Sequence, residues 1–470
     1  VNRIRGRIAS THVSDRYETL QSSPIISSVP LSILSNVEGL DGSVGRGSSL
    51  SLATAQGVLA FALLGAPLAF GSVEPWAWTS LAVLSISALL LWAIGSVRRS
   101  TLRIVWSPLY VLGVLFVVLV LIQLCDSTTE DHIATRESLF KFLTNLIFFF
   151  VATQLWGNSQ GETWRRIGLT VTLYAFVLSL FAVLQALSSH GHMVYWFVNM
   201  PLRSWPVGPY VNHNHYAGLM EMLVPIAVCS FLSLPASYPM RHLIGVSILV
   251  PLASVWLSGS RGGMISIAVE ALILAVVLFR CTAHSIGRSV ARSSLVGLSA
   301  ALALFFWIDP GQVSKRLATT FQPTRSAQMS EELEARTAIS RDCLRIVRDH
   351  LWLGTGLGSF ETVYPHYQSM ASDFAIDQAH DDLAQALAET GLVGAALVLA
   401  AIILFLVLAF RRLYHRLEHP TAWIQLGGAM GCCGLLVHSS MDFNLHIPAN
   451  AAWFAVCAAT STRVKIFSQR

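Results

Sequence analysis

A few ionisable side chains stand out in a chain that otherwise avoids charge. His380 lies in Asp377-Gln-Ala-His380-Asp381-Asp382, about ten residues ahead of an apolar run that opens at Gly391. An imidazole near a lipid–water boundary titrates close to neutrality and suits general-base work on a hydroxyl. Three acidic neighbours, Asp377, Asp381 and Asp382, are available to orient it and support its charged form. A lone histidine where a span begins is otherwise a polar anchor.

Arginine supplies the complementary charge. Ser258-Gly-Ser260-Arg261-Gly262-Gly263 joins two apolar runs. A guanidinium between membrane helices is costly and faces a cavity or an anion unless it snorkels to headgroups. Glycines around it let a large anion approach the backbone. Residues 332–350 read as an amphipathic helix with Leu333, Ile339, Leu344 and Val347 on its apolar side. Arg341, Arg345 and Arg348 share one face, expected to be solvated or turned to headgroups, and Arg336 points elsewhere by the helical period.

Other candidates are weaker. Asn212-His213-Asn214-His215 offers a two-histidine metal pair. No third ligand stands at a convincing spacing, so the bland reading, with Asn212 or Asn214 capping a helix, is preferred and no metal is expected. Arg203 lies just before this stretch. Asp442, in His438-Ser-Ser-Met-Asp442-Phe-Asn-Leu-His446, reads first as a brace in a tight turn and second as a site residue. Gly354-Thr-Gly356-Leu-Gly358 imitates a nucleotide loop, but no strand precedes it, so it reads as a turn.

These residues need a scaffold, and composition says which kind. The chain has 470 residues, 54% hydrophobic and only 12% charged, about half the charged fraction of a soluble domain. Apolar runs near 51–71, 76–96, 104–124, 139–156, 166–187, 215–234, 242–258, 263–280, 293–308, 391–410, 421–438 and 447–462 predict an all-α, polytopic membrane protein of about twelve spans. Small residues such as Gly57, Gly65 and Ala66 are expected to permit close contact among the first helices. Tyr195-Trp196-Phe197 suit an interfacial or re-entrant helix.

Basic residues fall on one side of such a layout: Arg98, Arg99 and Arg103; Arg165 and Arg166; Arg280, Arg288 and Arg292; Arg411, Arg412 and Arg416; Arg463, Lys465 and Arg470. The positive-inside rule then makes both termini cytoplasmic and places the long polar stretch outside. Four regions are expected: a disordered cytoplasmic tail over 1–50, helices over 51–308, a large outer loop with His380 over 309–390, and the last three spans with a short tail over 391–470. The net charge of +5 is a topology signal and does not point to nucleic acid. Seven cysteines form no CxxC pattern, although Cys125 and Cys343, both expected outside, are placed to pair.

From about Trp205 onward the chain resembles the O-antigen ligase / O-antigen polymerase (Wzy) superfamily of bacterial inner-membrane glycosyltransferases. The resemblance rests on the order of Gly208-Pro-Tyr-Val-Asn-His-Asn-His-Tyr-Ala-Gly218, Ser260-Arg261-Gly-Gly, Arg336 followed by Asp349-His-Leu-Trp-Leu-Gly-Thr-Gly-Leu-Gly-Ser-Phe360, and His380 followed by Gly391-x-x-Gly394. The turn from His438 to Ala451 also looks familial. The resemblance implies a GT-C-like fold and an inverting, metal-independent, cofactor-free transfer at the periplasmic face of the inner membrane. The donor would be an undecaprenyl-pyrophosphate-linked glycan and the acceptor a lipid A–core sugar, another lipid-linked unit in a polymerase, or a protein. His380 would be the base, and Arg261 and Arg336 would hold the pyrophosphate. Arg203, Asn214, Asp381 and Asp442 are possible supports. Two departures stand out: Asp381 replaces the usual Asn, Ser or Gln after the histidine, and Trp205 stands where relatives often carry an arginine.

Elementary chemistry agrees with these roles. Displacing a sugar from a diphosphate requires a hydroxyl relieved of its proton and stabilisation of charge on the leaving phosphate. Imidazole suits the first and paired guanidiniums suit the second. The rival of another class is a flippase or anion transporter, but no internal symmetry of two halves is visible.

Overall fold

The computed structural model describes residues 49–99, 104–125, 128–157, 159, 161–188, 193–200, 206–235, 237–281, 325–370, 376–411, 420–462 and 466–467. The tail over 1–48, the span expected at 293–308, the start of the long polar stretch and Arg203 lie outside them. The described residues form a predominantly helical membrane protein with two pairs of two-residue strands. Among them, seven helical segments are long and apolar enough to cross a bilayer, Arg241–Ser258 counted as one.

In chain order the helices are α1 (Ser49–Gly65), α2 (Pro75–Arg98), α3 (Leu109–Cys125), α4 (His132–Trp156), α5 (Gly161–Ser188), α6 (His213–Ser233), α7 (Arg241–Ser247) and α8 (Leu249–Ser258). They continue with α9 (Arg261–Cys281), α10 (Arg325–Asp349), α11 (Asp382–Phe410), α12 (Pro420–His438) and α13 (Pro448–Ser461). Side chains cap several of them. Asp131 accepts from the backbone N–H groups of Ile133 and Ala134, Asn212 from Asn214, and Asp381 from Leu383 and Ala384. At Gly259, φ of 74° ends α8 in the left-handed conformation, so that α9 starts two residues later with Arg261.

Helix α6 is the axis of the bundle, with 78% of its apolar window buried. Small residues on α12 let the two backbones meet. A Cβ on Gly427 would sit 2.6 Å from Ile226 Cα, and one on Gly431 would sit 2.7 Å from Met222 Cα. The expectation that Gly57 and Gly65 serve this purpose is corrected, because a Cβ at either would meet nothing within 4 Å. Helix α11 is the opposite of α6: only 17% of its window is buried, and Leu399, Ile403 and Val407 face outward as lipid-exposed residues do.

Helix α11 also differs from its expected extent. Polar character up to Thr390 places the start of the span at Gly391, yet the helix begins at Asp382 and Gly391 interrupts it with φ 61° and ψ −165°. The broken turn is repaired from a neighbouring loop. Leu392 and Val393 donate their N–H groups to the Leu351 and Trp352 carbonyls, and the Ala388 and Glu389 carbonyls accept from Thr355 and Gly356. Gln123 of α3 closes the junction, donating to the Leu353 and Glu389 carbonyls and accepting from Leu357 N. Irregular backbone at the membrane edge is tolerated because each freed group has a partner. The glycine-rich 354–358 segment is thus a turn, as its sequence indicates.

Two further expectations are corrected. Tyr195 and Trp196 do not sit in a helix. Both adopt positive φ and turn the chain between two-residue strands, Met193–Val194 and Val198–Asn199. Cys125 and Cys343 are free thiols, and Cys343 is buried among Ile339, Ile346 and Tyr364.

Candidate active site

The segment following α12 gathers the site. Asp442, 1% exposed, accepts a hydrogen bond through Oδ1 from His380 Nδ1 at 3.3 Å. Its Oδ2 accepts from Asn214 Nδ2 and lies 3.9 Å from Arg336 Nη2. Arg336 Nη1 also donates to the Met441 carbonyl at 2.7 Å, which leaves its guanidinium anchored at one edge and about one third exposed. A single buried carboxylate therefore ties together three residues that are remote in sequence.

The same segment binds other helices at their N-terminal ends. Asp382 N at the start of α11 donates to the Ser439 carbonyl. Asn450, near the start of α13, donates to the His215 carbonyl on α6. Gly262, in the first turn of α9, abuts the Cδ2–Nε2 edge of the His438 ring, which a Cβ there would overlap. Four helix N-termini, of α6, α9, α11 and α13, thus meet at this end. The dipoles of these helices add positive potential there.

His380 adopts φ of 53°, a costly conformation for a non-glycine residue that persists only when its surroundings enforce it. The Asp442 bond and edge-on packing on Phe443, with ring centroids 4.9 Å apart, provide that enforcement. With Nδ1–H directed at Asp442, Nε2 is left to accept a proton. The imidazole is about 30% exposed and reachable from outside.

Asp442 is held anionic. Burial pushes its carboxyl up, but the His380 hydrogen bond and the charges of His380 and Arg336 outweigh burial and keep it well below the usual carboxylate range. Its part in the site was visible in the sequence only as a secondary possibility. The acidic residues beside His380, expected to orient the ring, do other work. Asp381 caps α11, with burial raising its pKa against the pull of two backbone N–H groups. Asp382 binds His446 Nδ1 at 2.6 Å and Leu445 N at 2.9 Å. Asp377 is exposed.

Arg261 opens α9 with its side chain exposed, and among the described residues it has no ion-pair partner. Arg341, Arg345 and Arg348 face outward, with Arg345 bonded to Asp342 at 3.0 Å, and do not join the site. Asn212 caps α6, as its position in the sequence indicates, and His215 packs edge-on against Phe443 with centroids 4.6 Å apart.

The Asp382–His446 pair yields a testable pH dependence. Burial lowers the His446 pKa, but the Asp382 hydrogen bond and charge more than reverse this, so the folded value lies above the ordinary one. A raised folded pKa stabilises fully below the unfolded value and is lost as pH rises through the folded value. His446→Gln is therefore expected to lower the melting temperature most below the ordinary histidine pKa of about 6.5, with the gap to wild type closing as pH rises above it. Thermal melts in detergent across that range provide the check; a gap that widens with pH would refute the assignment.

The described residues are a bundle of apolar helices, as in a membrane protein, with a histidine–carboxylate–arginine cluster at one end. Residues 246–399 match the family model described as O-antigen ligase (Wzy_C). The match spans about a third of the chain and makes this region similar to the O-antigen ligase/Wzy superfamily, whose members are ligase- or polymerase-type, glycosyltransferase-like enzymes. No curated protein matches the chain. The matched span contains Arg261, Arg336 and His380, while Asn214 and Asp442 lie outside it.

Proposed function

We propose that the protein transfers a glycan from a lipid-linked diphosphate to an acceptor hydroxyl, with His380 as general base and Arg261 and Arg336 on the diphosphate. The carrying observation is the convergence of His380 and Arg336 on the Asp442 carboxylate beside the turn that presents Arg261. His380 Nε2 takes the hydroxyl proton while the hydroxyl oxygen bonds to the anomeric carbon. The anomeric carbon–oxygen bond breaks, and its electron pair goes to the leaving diphosphate, whose charge the two guanidiniums and the helix N-termini offset. Attack opposite the leaving group inverts the anomeric centre. Asp442 stabilises the imidazolium that forms.

Arginine placement in the loops supports a periplasmic site in the bacterial inner membrane, which suits undecaprenyl pyrophosphate as the donor carrier. A ligase acting on a lipid A–core sugar is the reading carried forward; a polymerase acting on another lipid-linked unit and a protein glycosylator would share this centre. Reconstitution in nanodiscs with a lipid-linked oligosaccharide and a core-sugar acceptor provides the test. Wild type should form a new glycosidic bond, and Arg261→Ala and Arg336→Ala should each lose about 10²–10³-fold in kcat, as removal of an oxyanion donor does. Movement of the donor across a bilayer with no new bond would instead establish a flippase.

A further inference from the structure

A buried pair beneath the site has no role in the steps above. His438 ends α12 and Glu221 lies in the middle of α6; both side chains are almost completely buried, with His438 Nδ1 2.7 Å from Glu221 Oε1. Such a pair is expensive to bury and is a weak source of stability, so its placement calls for another explanation. The other edge of the imidazole supplies one. It presses on Gly262, where a Cβ would overlap the ring, and its Nε2 lies 3.5 Å from Ser260 Oγ. Ser260 Oγ in turn accepts from Gly263 N at 3.1 Å, and Ser258 Oγ accepts from Ser260 N at 3.2 Å. The residue enclosed by these contacts is Arg261.

On its backbone side, His438 reaches the rest of the site. Its carbonyl accepts from Met441 N at 2.8 Å and Asp442 N at 3.0 Å. Met441 and Asp442 are the residues that hold Arg336 and His380. One residue therefore touches the Arg261 turn with its ring and the His380–Arg336 brace with its backbone. Glu221 fixes the rotation of that ring, since its carboxylate oxygen engages Nδ1 and turns the opposite edge toward Gly262.

We propose that His438, oriented by Glu221, is a positioning residue that sets Arg261 relative to Arg336 and His380, so that both guanidiniums meet one diphosphate. This inference rests on the functional reading above. Its mechanical part can be tested without substrate.

His438→Asn is the informative change, because the shorter amide still reaches Glu221 but withdraws the edge that packs on Gly262. Hydrogen exchange in the reconstituted full chain should speed up over residues 259–264 and remain as in wild type around Gly391. Unchanged exchange at 259–264 would overturn the proposal whether or not transfer is detected. In the transfer assay His438→Asn should lower kcat about 10- to 100-fold, the cost of misplacing a group by roughly an ångström, with KM for the acceptor unchanged. On an Arg261→Ala background the same substitution should cost less than about 2-fold further, because it acts through that arginine. A full additional loss in the double variant would show a general structural role and overturn the proposal.

A reciprocal change separates steric positioning from simple destabilisation. Gly262→Ala alone should lose activity by driving the His438 ring away, and combining it with His438→Asn should restore part of it. A double variant worse than either single variant would refute the steric relation. Failure of the wild type to form any glycosidic bond would remove the transferase reading and leave the exchange result to decide the positioning claim.

Discussion

Replacing His380 with alanine is expected to abolish measurable transfer, lowering kcat about 10²–10⁴-fold while leaving the fold intact. The imidazole is partly exposed and, among the described residues, makes one polar contact, to Asp442, so its removal opens no internal cavity. Asp442→Asn should fall in the same kinetic range for a different reason. The amide cannot offer two anionic oxygens to His380, Arg336 and Asn214, and it favours the wrong histidine tautomer. Combining the two substitutions should be far from additive, because the carboxylate acts through the ring. Folding controls are needed chiefly for Asp442, which is fully buried and also receives Phe443 N at 2.9 Å. Transfer by His380→Ala at the wild-type rate would remove the general base from the mechanism.

That carboxylate shows what the sequence could and could not disclose. Fold class was legible because apolar runs of membrane length have few alternatives. Arg261 and His380 drew attention because a cation or imidazole beside hydrocarbon demands an explanation, and Arg336 only through the family resemblance. The partner of His380 was not, since nearness along the chain favoured Asp377, Asp381 and Asp382. A helix start consumed Asp381 as its cap, and Asp382 was drawn to His446. Asp442, 62 residues away, arrives only when α11 and α12 pack side by side. Its signal, a polar His438-x3-Asp442-x3-His446 pattern in a turn between two apolar helices, is present but also fits an ordinary solvated turn. Glu221 was invisible for the opposite reason: a lone acid within a hydrophobic run carries no sign of the helix it will face.

The second large effect is expected at a residue without a side chain. At φ 61° and ψ −165°, Gly391 occupies a backbone region open essentially to glycine alone, which costs other residues about 1–3 kcal/mol. Space is lacking as well. A Cβ there would overlap the Trp352 carbonyl and stand 2.7 Å from Gly354 N, and these are backbone atoms that cannot rotate away. Relieving the clash would pull the 351–358 loop from the break in α11 and strand the N–H groups of Leu392 and Val393 at the membrane edge. Gly391→Ala should therefore lose most folded protein, by more than the roughly 0.5–3 kcal/mol of an ordinary substitution. Gly57→Ala is the matched control: a Cβ there meets nothing within 4 Å, and alanine is favoured over glycine in a helix by about 0.5–1 kcal/mol. Fluorescence-detected size exclusion after a heating series would compare the two. A Gly391→Ala protein as heat-resistant as Gly57→Ala would show that the break in α11 is not fixed by this contact. The effect should reach catalysis too, since α11 begins at Asp382 and His380 hangs from its N-terminal cap; any surviving Gly391→Ala protein is expected to show a lower kcat.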